Sequence, residues 1–157
     1  DVSGQVFLPY DFADMRLVAD AFKDSLKFVS IPSALVFRNH PLMARSKKHL
    51  GLIRNLGRIL ADYGSAGLNH NKAKEVVVIG SSAAIIELLE RGYCIFHISE
   101  EPLFDVHFSS IWTDIVVQLL SDNLFFYQLP SGNRGRLIHF GTGDSRLVDV
   151  LREVQGE

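Results

Sequence analysis

The sequence has little of several things, and each shortage removes a class of protein. A single cysteine, Cys94, excludes an internal disulfide framework and any multi-cysteine zinc site. The six histidines (His40, His49, His70, His97, His107 and His139) show no His-Glu-x-x-His spacing, so no metal site is expected. Neither sign of charge dominates: 16 Lys and Arg face 18 Asp and Glu, a formal net charge of −2. That balance argues against a globally basic nucleic-acid binder and against an acidic tail. Apolar runs such as Val76-Val77-Val78-Ile79 are far shorter than a membrane span, and a chain soluble by itself is expected. Gly-x-Ser-x-Gly elbows and Walker loops are missing, which removes serine hydrolases of that type and P-loop NTPases. The chain opens on Asp1 with no charged and apolar signal segment. We expect it to be a piece of something longer.

What the sequence does contain is enough apolar material for one core. Its 157 residues are 47% hydrophobic and 22% charged, one domain's worth. Short apolar runs alternate with helical periodicity, the pattern of an α/β domain. Residues 5–10 read as a strand, and Leu17, Val18, Ala21, Phe22 and Leu26 mark a helix from about Ala13. Ala34 to Phe37 reads as a second strand, closed by Arg38-Asn39-His40-Pro41. Leu52, Ile53, Leu56, Ile59, Leu60 and Tyr63 form the stripe of a second helix. Tyr63 to Lys74 is rich in loop formers, and Glu75 to Ile79 is a β-branched run suited to a sheet centre. A helix follows Gly80-Ser81-Ser82 and ends at Gly92; Tyr93 to Ile98 is the next strand. Ile111, Trp112, Ile115, Val116, Leu119 and Leu120 have helical spacing. Asn123 to Leu129 and Arg136 to Phe140 read as strands, and a last helix starts near Asp144. The order implies a Rossmann-like three-layer sandwich with a mainly parallel sheet and right-handed crossovers.

In such a sheet, ligands bind outside the carboxyl ends of the strands. Four successive ends carry polar groups: Tyr10-Asp11, Arg38-Asn39-His40-Pro41, Gly80-Ser81-Ser82 and Ser99-Glu100-Glu101-Pro102. Gly80 allows a close turn, and the Ser81 and Ser82 hydroxyls converge with unpaired helix N–H groups, an arrangement suited to phosphate. The same serines also suit a plain helix cap, and both readings stand. His40 on the neighbouring loop offers a donor to a phosphate or a leaving diphosphate; an exposed turn is the other reading of a lone His-Pro. From Ser25 through Ala61 there is no acidic residue, while Lys27, Arg38, Arg45, Lys47, Lys48, Arg54 and Arg58 all fall there. This stretch carries a local positive potential that the net charge hides. Glu87, inside an apolar helix, needs a partner or a ligand, such as ribose hydroxyls, unless it faces water. Gly141-Thr142-Gly143-Asp144 lacks the third glycine of a dinucleotide fingerprint and reads as a loop and cap.

The series strand, Arg38-Asn39-His40-Pro41, basic helix, strand, Gly80-Ser81-Ser82 and the helix to Gly92 resembles the C-terminal, donor-binding half of GT-B-fold glycosyltransferases. The likeness is nearest to bacterial surface and capsular polysaccharide enzymes, namely sialyl-, polysialyl- and glycerophosphotransferases, and covers roughly Gln5 to Pro102. It implies that Arg38, His40, Gly80, Ser81 and Ser82 contact nucleotide phosphate, with His40 stabilising the leaving group. Glu87 matches a ribose-binding glutamate of UDP-sugar epimerases, and Asp11, Glu100 and Glu101 become sugar or ribose contacts. Arg38 stands where that family's motif has lysine, and Asn39 where it has a small or apolar residue. The resemblance further implies a CMP-, CDP- or UDP-linked donor substrate and no cofactor or metal. It implies an N-terminal acceptor domain in the same full-length protein, with peripheral membrane association through that protein, a cytoplasmic location and no nucleic-acid partner. Residues 1–157 would then be one nucleotide-sugar-binding domain, inactive alone. Two alternatives stay open: a non-catalytic partner-binding or regulatory module, docking through Phe104, Phe108, Trp112 and Leu124 to Tyr127, and a piece of a UDP-sugar 2-epimerase.

Overall fold

The computed structural model describes residues 1–12, 14–64, 74–103 and 115–129. Among them the chain runs β1 (Gln5–Phe7), α1 (Met15–Ser25), β2 (Val36–Arg38), α2 (Lys47–Tyr63), β3 (Glu75–Ile79), α3 (Ala84–Glu90), β4 (Cys94–Ile98), β5 (Val116–Ser121) and β6 (Leu124–Gln128). The strands form one sheet in the order β2-β1-β3-β4-β6-β5. The β1–β2, β1–β3 and β3–β4 pairings are parallel, whereas β4–β6 and β5–β6 are antiparallel. The fold is therefore mixed α/β with a mostly parallel sheet.

Strand alternation divides the core into two layers. Val6, Val77, Ile79, Phe96 and Ile98 point to one face, where they meet Val18, Ala21 and Phe22 of α1 and Leu52 and Leu56 of α2. Val76, Val78, Ile95, Phe125 and Tyr127 point to the other, against Ile85, Leu88 and Leu89 of α3. Each fully buried Leu or Ile contributes about 1.5–3 kcal/mol. Local chemistry sets the helix ends. The Asp14 carboxylate caps α1 by accepting from the N–H groups of Arg16 and Leu17, and the Ser46 hydroxyl caps α2 by accepting from His49 N–H. Gly92, at φ +88°, closes α3, with Tyr93 N–H bonded back to the Leu88 carbonyl.

One expectation is corrected. The stretch with helical spacing up to Leu120 contains a strand from Val116, because Val116 to Ser121 pairs with Leu124 to Gln128 across an Asp122-Asn123 turn. Asn123 takes the left-handed conformation (φ +64°) that this turn needs and that asparagine tolerates. The hairpin also adds an antiparallel end to the sheet. α2 packs against α1 and shares its core cluster, and Val36, on the sheet face away from α1, is 62% exposed. The proposed strand Arg136 to Phe140, the helix near Asp144 and Gly141-Thr142-Gly143-Asp144 lie outside the described residues, as do Phe104, Phe108 and Trp112. Leu124, Phe125 and Tyr127 are buried in the core, so that stretch offers no docking surface.

Candidate functional site

β1 has β2 on one side and β3 on the other, so the chain reverses direction along the sheet between β1 and β3. Loops leaving such a switch point diverge and leave a crevice at the carboxyl edge. A cleft of about 290 Å³ occupies that position. Phe12, Leu17, Val18, Ile79 and Ile98 supply its apolar wall, and Asp11, Asp14, Gly80, Ser81, Ser99 and Glu100 its polar parts. Four residues singled out from the sequence thus meet in one cleft: Asp11, Gly80, Ser81 and Glu100.

Gly80 shapes the wall. It has φ +78°, and a Cβ at that position would stand 2.8 Å from Pro9 Cβ. Its N–H donates to the Ile98 carbonyl at 2.8 Å. No side chain fits there without displacing the β1 loop. Ser81 is exposed at the cleft, whereas the Ser82 hydroxyl accepts from Ala84 N–H at 3.2 Å and so is engaged at the start of α3.

The remaining sequence candidates lie apart from the cleft lining. Arg38 sits on the opposite sheet face from α1, its guanidinium 5.2 Å over the Phe7 ring and bonded to Gln5. His40 caps a 3-10 turn, Pro41–Met43, with its Nδ1 accepting from Leu42 N–H at 3.2 Å, and stacks edge-on against Tyr10. That acceptor role leaves the proton of a neutral ring on Nε2. Glu87 has found a partner: Arg91 Nη2 donates to its carboxylate at 2.7 Å, on the exposed side of α3. Glu101 is exposed and lies outside the lining.

Several residues that the spacing did not single out organise the cleft. Lys48 Nζ reaches Asp11 at 3.2 Å, also bonds the Phe12 carbonyl, and lies over the Phe12 ring. This ammonium, helped by Phe12 N–H, holds the Asp11 carboxyl below the usual carboxylate range. The charge of the basic stretch therefore reaches the cleft rim through one side chain. Arg45, Lys47, Arg54 and Arg58 are exposed and make no ion pair among the described residues. His49 and His97 are each only 2% exposed. Their rings hydrogen-bond the carbonyls of Pro9 and Gly80 at 3.0 and 2.8 Å. Burial holds the His97 imidazole below its usual value and pushes the Tyr127 phenol, its partner at 2.9 Å, up to about 12. One signal for His97 was present: a polar residue at a buried position of an apolar strand needs partners. Among the described residues no three His, Cys, Asp or Glu side chains group to hold a metal ion.

No family model matches the chain, and neither a curated protein nor a solved structure matches it.

Proposed function

We propose that the chain is the donor-binding, Rossmann-like half of a GT-B-type glycosyltransferase of surface polysaccharide synthesis, taking a CMP-, CDP- or UDP-linked sugar in the cytoplasm. One observation carries this reading: the cleft lies at the switch point between β1 and β3, with Gly80, Ser81 and Glu100 in its wall. The resemblance of the Arg38–Pro41 and Gly80–Ser82 segments supports it. In this reading Ser81 and the Gly80–Ser82 backbone receive phosphate. His40, outside the cleft lining on the neighbouring loop, is assigned to the departing nucleotide, with Nε2–H as its available donor because Nδ1 is already an acceptor.

The lining also orders the donor. Among the described residues it carries the carboxylates of Asp11, Asp14 and Glu100 and no cationic side chain. Asp14 is engaged at α1 and Asp11 with Lys48, which leaves Glu100 as the ready acceptor for ribose or sugar hydroxyls. Carboxylates repel phosphate, so the hydroxyl-rich part belongs inside the cleft and the phosphates at the Ser81 side. Catalysis requires the acceptor domain, so the chain alone binds but does not turn over.

Calorimetric titration with CMP, CDP, UDP and GDP tests this. At least one is expected to bind, and Ser81→Ala to weaken it by about tenfold, the cost of one hydrogen bond to a charged group. Failure of all four to bind overturns the reading. Binding indifferent to both Ser81→Ala and His40→Ala overturns the assigned phosphate site.

A further inference from the structure

Pro9 and Gly80 belong to the loops that leave β1 and β3, and their close contact forms the seam where the two walls of the cleft meet. Each carries a backbone carbonyl that faces a buried histidine. His97 Nε2 lies 2.8 Å from the Gly80 oxygen, and His49 Nε2 lies 3.0 Å from the Pro9 oxygen. A carbonyl only accepts, so both rings carry their proton on Nε2 and donate. In the neutral rings Nδ1 is then an acceptor. It receives the Tyr127 hydroxyl in His97, at 2.9 Å, and the Ser46 hydroxyl in His49, at 2.8 Å.

We propose that His49 and His97 are paired positioning residues that clamp the two sides of this seam and thereby set the shape of the donor cleft, a role that rests on reading the cleft as the donor site. The anchors behind the rings are well separated. Tyr127 belongs to β6 and also accepts from Leu103 N–H at 2.8 Å, whereas Ser46 is the cap residue of α2. Each imidazole is held at both nitrogens, so neither ring turns without breaking a buried hydrogen bond. Neither ring lines the cleft, so both act through the backbone rather than by touching a ligand. Because both clamps act on one contact, their effects are coupled.

The test compares leucine with glutamine at each position in the full 157-residue chain. Glutamine restores an N–H near the place of Nε2; leucine does not. Amide signals and hydrogen exchange of Gly80 and Ser81 are followed by NMR, alongside affinity for whichever of CMP, CDP, UDP or GDP binds the wild type. His97→Leu and His49→Leu are expected to shift those signals, speed their exchange and weaken the nucleotide by about tenfold, as for a lost buried bond. The glutamine variants should stay within about threefold of wild type, and the double leucine variant should lose less than the sum. Unchanged Gly80 and Ser81 signals in folded leucine variants overturn the clamp, as does glutamine failing as badly as leucine. If the wild type binds no nucleotide, the donor reading falls and the amide signals alone decide the clamp. If the leucine variants do not fold, Tyr127→Phe and Ser46→Ala decide it: each frees one Nδ1 and should perturb the same amides, and silence there overturns the proposal.

Discussion

The loop after β2 and the loop after β3 both carry polar residues at the carboxyl edge of one sheet, yet they are built differently. After β2, His40 takes a short-range, exposed partner, accepting from Leu42 N–H two residues on. After β3 the partners are distant in sequence and buried: Gly80 with His97, and His97 with Tyr127. Water can replace the first set when it is lost, but not the second, where an orphaned buried group keeps its full desolvation cost. A motif that stands out in a sequence is thus not the one on which the site's rigidity depends.

Substitutions test that contrast. Gly80→Ala combines a positive φ with a 2.8 Å approach to Pro9 and is expected to cost about 2–4 kcal/mol in urea unfolding. Tyr127→Phe removes the hydroxyl between Leu103 N–H and the His97 ring, and should cost about 1–3 kcal/mol in the same assay. His40→Ala should change stability by no more than about 0.5 kcal/mol, as should Glu87→Gln, which weakens only an exposed pair with Arg91. If His40→Ala matches Tyr127→Phe, the two loops do not differ as described.

The pH dependence sharpens the same point. Burial keeps His97 neutral in the folded chain at pH values where the unfolded chain, with its ordinary value near 6.5, takes up a proton. The unfolded state then binds more protons, so stability should fall as pH drops below 6.5 until the folded value is passed. Tyr127 acts at the other end: its phenol stays neutral up to about 12, against 10.0 when unfolded, so stability should fall as pH rises across that window. Asp11, held low by Lys48, contributes stability that is present above 3.8 and lost as pH falls through its folded value. Replacing His97 with Gln should flatten the first slope, read by unfolding midpoints across pH.

Much of the frame was legible in the sequence. The run Val76 to Ile79 ending at Gly80 became β3 and its tight exit, and the stripe from Leu52 to Leu60 became the inward face of α2. These features are local and periodic. Asn123 to Leu129 became β6, but its partner β5 was not legible, because Val116, Leu119 and Leu120 fit helical spacing as well as a strand, and only pairing with β6 decides between them. Asp11, Gly80, Ser81 and Glu100 were visible as strand-end polar residues. Lys48 was visible only as part of a basic stretch and His97 only as a polar residue in an apolar strand; their roles and that of His49 were not, because the partners lie 17 to 40 positions away.

The cleft between β1, β3 and β4 is the proposed site of the nucleotide-linked donor. Amide-shift mapping during titration with CMP, CDP, UDP and GDP tests it most directly. The account predicts that at least one of them moves the signals of Asp11, Gly80, Ser81 and Glu100 together, saturating in step. Shifts confined to other surfaces, such as the β5–β6 hairpin, or none with any of the four, would contradict it.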